Sequence, residues 1–188
     1  MNIKWLIRSQ SIVTLASGMI YPYYLLFLKN LGNSYSKYGL AFAVFTLSSA
    51  ITAQILANRL DQKAKNILVI SSIGMAVAMI AFPWVLTFGW VIVLQLVMGV
   101  CNAMQRTSER VLLADYTTAG DRGKDIGSYH FWTSIASGFA VVIGGYLIDW
   151  LTINVLFYGS AFLYGVSSWM IWRNSLFQAE KNNALIDG

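Results

Sequence analysis

Apolar residues run along this chain in six long stretches, roughly Trp5–Leu28, Tyr38–Leu60, Asn66–Leu86, Trp90–Tyr116, Gly127–Leu147 and Ile153–Trp172. A helix that crosses a bilayer needs about 20 mostly apolar residues, and each stretch is long enough. Polar breaks separate them at Lys29–Lys37, Asp61–Lys65, Thr87–Gly89, Thr117–Ile126 and Ile148–Thr152. The strands of a membrane barrel would alternate polar and apolar positions over about ten residues, and no such alternation appears. The pattern predicts an all-α, polytopic membrane protein with six transmembrane helices. Residues 1–173 form the membrane domain, and residues 174–188 a polar cytoplasmic tail or the start of a linker. The first stretch is too long for a signal-peptide core and lacks a small-residue cleavage site, so it reads as a retained helix.

Composition strengthens this picture. Of 188 residues, 57% are hydrophobic and only 11% charged, against about 25% charged in soluble domains. Seven Trp and ten Tyr suit a protein anchored at two membrane interfaces. The excess of 13 basic over 8 acidic residues needs no nucleic acid to explain it, because cytoplasmic loops of membrane proteins collect Lys and Arg. A cytoplasmic N-terminus puts Lys4, Arg8, Arg59, Lys63, Lys65, Arg106, Arg110, Arg122, Lys124, Arg173 and Lys181 inside, leaving Lys29 and Lys37 outside. Both termini are therefore expected in the cytoplasm, with the plasma membrane as the expected location. The single Cys101 allows no disulfide and implies no metal cluster.

Polar side chains in membrane helices usually face the bundle interior or a water-filled cavity. In the fourth stretch Gln95, Gly99, Asn102, Arg106 and Glu109 recur at spacings of four and three, which is one helical face, with Arg110 beside it. The functional reading is a cavity wall; the simpler one is that Arg106 and Glu109 neutralise one another near the headgroups. The first stretch has a thinner stripe of Arg8, Ser11, Leu15 and Gly18, flanked by Gln10 and Thr14 and ending at Tyr21 and Pro22. It reads equally as a cavity wall or as a close-packing face, and Pro22 predicts a kink. His130 in the fifth stretch is a possible proton relay, though a lone histidine is more often structural. No HExxH, GxSxG, paired intramembrane carboxylate or phosphate-binding glycine loop occurs, so neither an enzyme nor a cofactor is expected.

Six helices, cytoplasmic ends and a basic loop between the second and third helices resemble the N-terminal-type half of a major facilitator superfamily (MFS) transporter. The family's loop reads Gly-x-x-x-Asp-Arg-x-Gly-Arg-Arg. Here it is Ala57-Asn58-Arg59-Leu60-Asp61-Gln62-Lys63-Ala64-Lys65-Asn66, so Asp61 and Lys65 keep their places while both glycines are alanine. Arg122-Gly123-x-x-x-Gly127 is similar to the turn that often precedes the family's fifth helix. Proton-coupled members often have an arginine four residues before a helix-four glycine, where this chain has Gln95 before Gly99. Drug–proton antiporters often carry Gly-Pro-x-x-Gly-Gly, of which only Gly144-Gly145 remains.

The resemblance implies transport of a small solute by alternating access, with helices one and four lining the cavity. The candidate cavity residues are Arg8, Ser11, Gln95, Asn102, Arg106, Glu109, Arg110 and His130. Asp61 and Lys65 form a conformational-switch loop. The expected partners are the lipid bilayer, an anionic or zwitterionic solute, and a second six-helix half or a second copy of the chain. In a homodimer the small-residue face Ala136, Ala140 and Gly144 would receive helix two of the partner. A scaffold or accessory subunit that kept the fold without transporting is the alternative.

Overall fold

The computed structural model describes residues 3–24, 27, 34–57, 60, 63–117 and 120–186, with side chains through residue 174. Six α-helices occupy them: α1 (Lys4–Ile20), α2 (Tyr35–Leu56), α3 (Ala64–Ala81), α4 (Phe88–Tyr116), α5 (Arg122–Trp150) and α6 (Ile153–Ile186). The protein is all-α, and no strand occurs among the described residues. Five segments are long and apolar enough to cross a membrane: Tyr35–Leu56, Ala64–Trp84, Phe88–Tyr116, Arg122–Trp150 and Ile153–Asn174. The unbroken helix of α1 covers 17 residues, short of the ~20 that a span requires.

The two prolines account for two early helix ends. A proline lacks an N–H and its ring clashes with the carbonyl four residues back. Thus α1 stops at Ile20, and the chain tightens before and after Pro22, where the Tyr23 N–H donates to the Ile20 carbonyl at 3.0 Å. Likewise α3 stops at Ala81 and gives way to a 3-10 turn, Phe82–Trp84, around Pro83. Conversely α5 begins at Arg122, so Arg122 and Gly123 belong to its first turn rather than to a preceding loop. Helix α6 runs on to Ile186, since residues 174–186 contain neither Pro nor Gly to stop it.

The helices form a continuous packing order of α2, α4, α3, α6, α1 and α5. Their centre is a cluster of aromatic and methionine side chains, in which Phe82 stacks on Phe157 at 5.0 Å and Phe27 meets both rings edge-on. Serine hydroxyls supply cross-helix hydrogen bonds: Ser160 Oγ donates to the Ala16 carbonyl at 2.9 Å and Ser167 Oγ to the Ser9 carbonyl at 3.1 Å. Both join α6 to α1. Large apolar side chains cover the outside, with Leu47, Ile51, Val77, Phe139 and Phe162 each more than 60% exposed. Such a surface is stable only against hydrocarbon.

Small residues mark the tight crossings. A Cβ on Gly18 would lie 2.8 Å from the Ala140 Cβ, and one on Gly144 would lie 2.8 Å from the Tyr23 ring and 3.1 Å from the Met19 carbonyl oxygen. Ala140 is fully buried and Gly144 is buried too. The face at Ala140 and Gly144, expected to receive a partner's helix, is therefore covered by α1 and the turn after it in the same chain. On the other side of the bundle Gly99 faces α2 so closely that a Cβ would collide with the Phe45 carbonyl and the Ser48 hydroxyl.

Gly99→Ala should therefore force α2 and α4 apart and cost about 1–3 kcal/mol. Thermal unfolding in detergent should show a lowered midpoint. Gly39→Ala, with no atom within 4 Å of the added Cβ, is the control and should be neutral or mildly stabilising.

Candidate functional site

A cavity of about 330 Å³ opens between α1, α4 and α5. Helix α1 lines it with Gln10, Val13, Thr14, Ser17 and, just past its end, Tyr21. Helix α4 contributes Asn102, Gln105, Arg106 and Glu109, and α5 contributes Tyr129, His130, Thr133, Ser134 and Ser137. Met75 of α3 and Tyr164 of α6 complete the wall. Each helix presents residues three and four apart, so each wall is one helical face.

Most of these polar groups are held by one another or by their own helix. Thr14 Oγ1 donates to the Gln10 carbonyl at 2.8 Å, and Ser17 Oγ to the Thr14 carbonyl at 3.1 Å. Across helices, Gln105 Nε2 donates to Gln10 Oε1 at 3.2 Å, and Asn102 Nδ2 donates to Ser49 Oγ at 3.1 Å. The Arg106 Nε donates to Asn102 Oδ1 at 3.4 Å. The Tyr129 hydroxyl donates to the Glu109 carboxylate in a short hydrogen bond that ties α5 to α4. Among the described residues, no salt bridge pairs Arg106 or Arg110 with Glu109; the carboxylate's hydrogen-bond partner is a tyrosine. A cation and an anion thus share one cavity without cancelling in contact.

Of the residues singled out in the sequence, Asn102, Arg106, Glu109 and His130 line this cavity. Gln95 is buried and lines a smaller neighbouring space of about 40 Å³ with Tyr24 and Tyr38. Arg8 and Arg110 are exposed and Ser11 is half-buried, and none of the three lines either space. Gly18 serves the α1–α5 crossing. Asp61 lies outside the described residues. Lys65 is held at one end of the bundle, its Nζ 5.8 Å from the Trp5 ring and 5.7 Å from the Tyr116 ring, which themselves meet edge-on.

On α1 the stripe of Arg8, Ser11, Leu15 and Gly18, read equally as a cavity wall or a close-packing face, does not line the cavity, although Tyr21 at its end does. The residues that face the cavity are Gln10, Thr14, Ser17 and Tyr21, again at spacings of four and three. Gln10, Thr14 and Ser17 each sit one position before Ser11, Leu15 and Gly18, about 100° away around a helix. Gln105 and Tyr129 were missed as well. Gln105 was hidden because Arg106 beside it attracted the assignment, and Tyr129 because a tyrosine next to a histidine carries no distinctive spacing.

A polytopic helical bundle with a polar cavity walled by its first, fourth and fifth helices is the architecture of a membrane solute carrier. The chain belongs to the major facilitator superfamily, whose family profile matches residues 7–185. It is similar to the uncharacterized MFS-type transporter YitZ of Bacillus subtilis (strain 168), at 39% identity over 160 residues, or 84% of this chain and 97% of that protein. It is accordingly an integral membrane protein of a transporter family.

Cavity and lipid faces of α5 make opposite demands on a cysteine label. Ser134→Cys and Ser137→Cys should react with a small water-soluble thiol reagent in native membranes. Phe139→Cys, 61% exposed but on the apolar outer surface, should react at least tenfold more slowly, because a thiol in hydrocarbon does not form the reactive thiolate. Buried Cys101 sets a low background.

Proposed function

We propose that this chain forms one wall of an alternating-access pathway that carries a small anionic or zwitterionic solute across the plasma membrane. The observation that carries the reading is the polar cavity of about 330 Å³ inside a bundle whose outer surface is apolar. Polar and charged groups at membrane depth are costly unless they serve a pathway. A pure scaffold would gain nothing from placing Arg106, Glu109, Gln10, Gln105 and His130 around one open space.

In this reading, α1 and the residues that follow it through Leu28 make the first of six spans, and both termini are cytoplasmic. The opposite wall comes from a second six-helix unit, since family members bind substrate near the midplane between two such halves. That unit is either a second copy of this chain or a separate half. YitZ, named as a transporter and matched over 97% of its length, supports transport by a unit of this extent. Among the described residues that line the cavity, the Arg106 guanidinium is the fixed positive charge, and it supplies the preference for an anionic group on the solute.

Flux tests the proposal. Membrane vesicles from cells producing the protein should accumulate or release labelled small anions or amino acids faster than vesicles lacking it. Arg106→Ala should reduce that flux at least tenfold, from the loss of a charge-assisted contact. Flux equal to background for every anionic and zwitterionic solute tried would refute the reading. The identity of the second wall has its own measurement, the detergent-corrected mass of the purified protein. A dimer supports a second copy, and a monomer supports a separate half.

A further inference from the structure

Two opposite charges line the cavity without pairing, and the groups that hold them apart indicate what fits between them. Arg106 and Glu109 lie three residues apart on α4, and both line the cavity. That spacing sets their Cβ atoms about 5–6 Å apart, where oppositely charged side chains on a helix commonly meet. Here each is drawn the other way. The Arg106 Nε donates to Asn102 Oδ1, one turn back along α4. The Tyr129 hydroxyl donates to the Glu109 carboxylate and holds it toward α5.

These contacts leave most of each group unused. A guanidinium carries several N–H donors, and a carboxylate accepts at several positions. Among the described residues, the terminal nitrogens of Arg106 meet no protein acceptor, and the Tyr129 hydroxyl is the hydrogen-bond partner of Glu109. Arg106 is exposed and Glu109 half-buried, so both keep bonding capacity on the cavity side.

Such a pair discriminates by charge pattern. A simple anion that approaches Arg106 comes within one helical turn of the Glu109 carboxylate and is repelled by it; a simple cation meets the reverse. A molecule with one group of each sign satisfies both and brings no net charge into the bundle, so neither charge is desolvated without a partner. Arg110, on the other side of Glu109, is exposed and does not line the cavity. The volume of about 330 Å³ is at the small end for solute sites, which favours a compact molecule.

We propose that the solute is a short zwitterion, an amino acid or another compact molecule with one carboxylate and one ammonium, whose ammonium is taken by Glu109 while Arg106 takes its carboxylate. Tyr129 is a positioning residue that keeps the Glu109 carboxylate from closing on Arg106. This rests on the transport reading and narrows its solute from anions and zwitterions to zwitterions.

Ligand that binds only the folded state raises the unfolding midpoint in a concentration-dependent way. Purified protein in detergent should therefore be stabilised by one or more of glycine, β-alanine and γ-aminobutyrate. The matching acids (acetate, propionate, butyrate) and amines (methylamine, ethylamine, propylamine) should need at least tenfold higher concentration at equal ionic strength. Glu109→Gln keeps an acceptor for Tyr129 but loses the charge, and should leave zwitterion and acid equal. Arg106→Gln should lose the response to both. Tyr129→Phe should lose both as well, and adding Glu109→Gln to it should restore the response to the acid, which a merely structural role for Tyr129 would not produce. No response to the zwitterions, an equal or stronger one to the acids or amines, or a preference that survives Glu109→Gln would overturn the proposal. If labelled anions were still carried in that case, transport would stand without the zwitterion site. A zwitterion preference in a protein that moves no solute would support the site and refute transport.

Discussion

Hydrocarbon offers a polar group nothing to bond with, and every feature of this bundle answers to that fact. Backbone amides satisfy themselves within helices, so the chain is helical wherever it meets lipid. Side-chain hydroxyls do the same on a smaller scale: Ser9, Thr14, Ser17, Thr46, Ser71, Ser72 and Thr133 each donate to a carbonyl three or four residues earlier. These bonds cost no partner helix and explain why so many polar residues sit in apolar stretches without forming a site.

Where polar side chains bond to one another across helices, they gather at the cavity. Gln10, Gln105, Asn102, Ser49, Glu109 and Tyr129 all make interhelical hydrogen bonds, and all but Ser49 line the same cavity. Close approach of the helices on either side makes this possible. Gly18 against Ala140 draws α5 onto α1, and Gly99 against Phe45 draws α2 onto α4. The crossings bring together the walls, and the cavity is the space they enclose. Packing and polarity are thus two parts of one arrangement, in which small residues pull helices together and larger polar ones line the gap that remains.

The charge balance of that gap is its chemical character. Arg106 and Glu109 are a single turn apart, the spacing at which oppositely charged side chains on a helix commonly pair. Tyr129 instead takes the carboxylate, and Asn102 takes the Nε of the guanidinium. Each charge is therefore held by a neutral group and remains available to a third party. That is the property expected of a binding surface rather than of a neutralised helix end.

Much of this was legible in one dimension. Hydrophobic length identified the membrane helices, the α4 stripe pointed to Asn102, Arg106 and Glu109 as one face, and the loop residues Asp61 and Lys65 carried the family resemblance now shown for residues 7–185. These are local properties: a run of apolar residues and a repeat of three and four are written in the order of the chain. What the order could not say is which face of α1 looks inward. The stripe of Arg8, Ser11, Leu15 and Gly18 read equally as a cavity wall or as a close-packing face, and in the fold Gly18 packs against Ala140 of α5 while Gln10, Thr14, Ser17 and Tyr21 line the cavity. The same holds for the small residues Ala140 and Gly144, whose pattern signals a close helix neighbour without naming it; the fold supplied α1. Spacing along a helix defines faces, and only the packing of one helix against the next decides what each face meets.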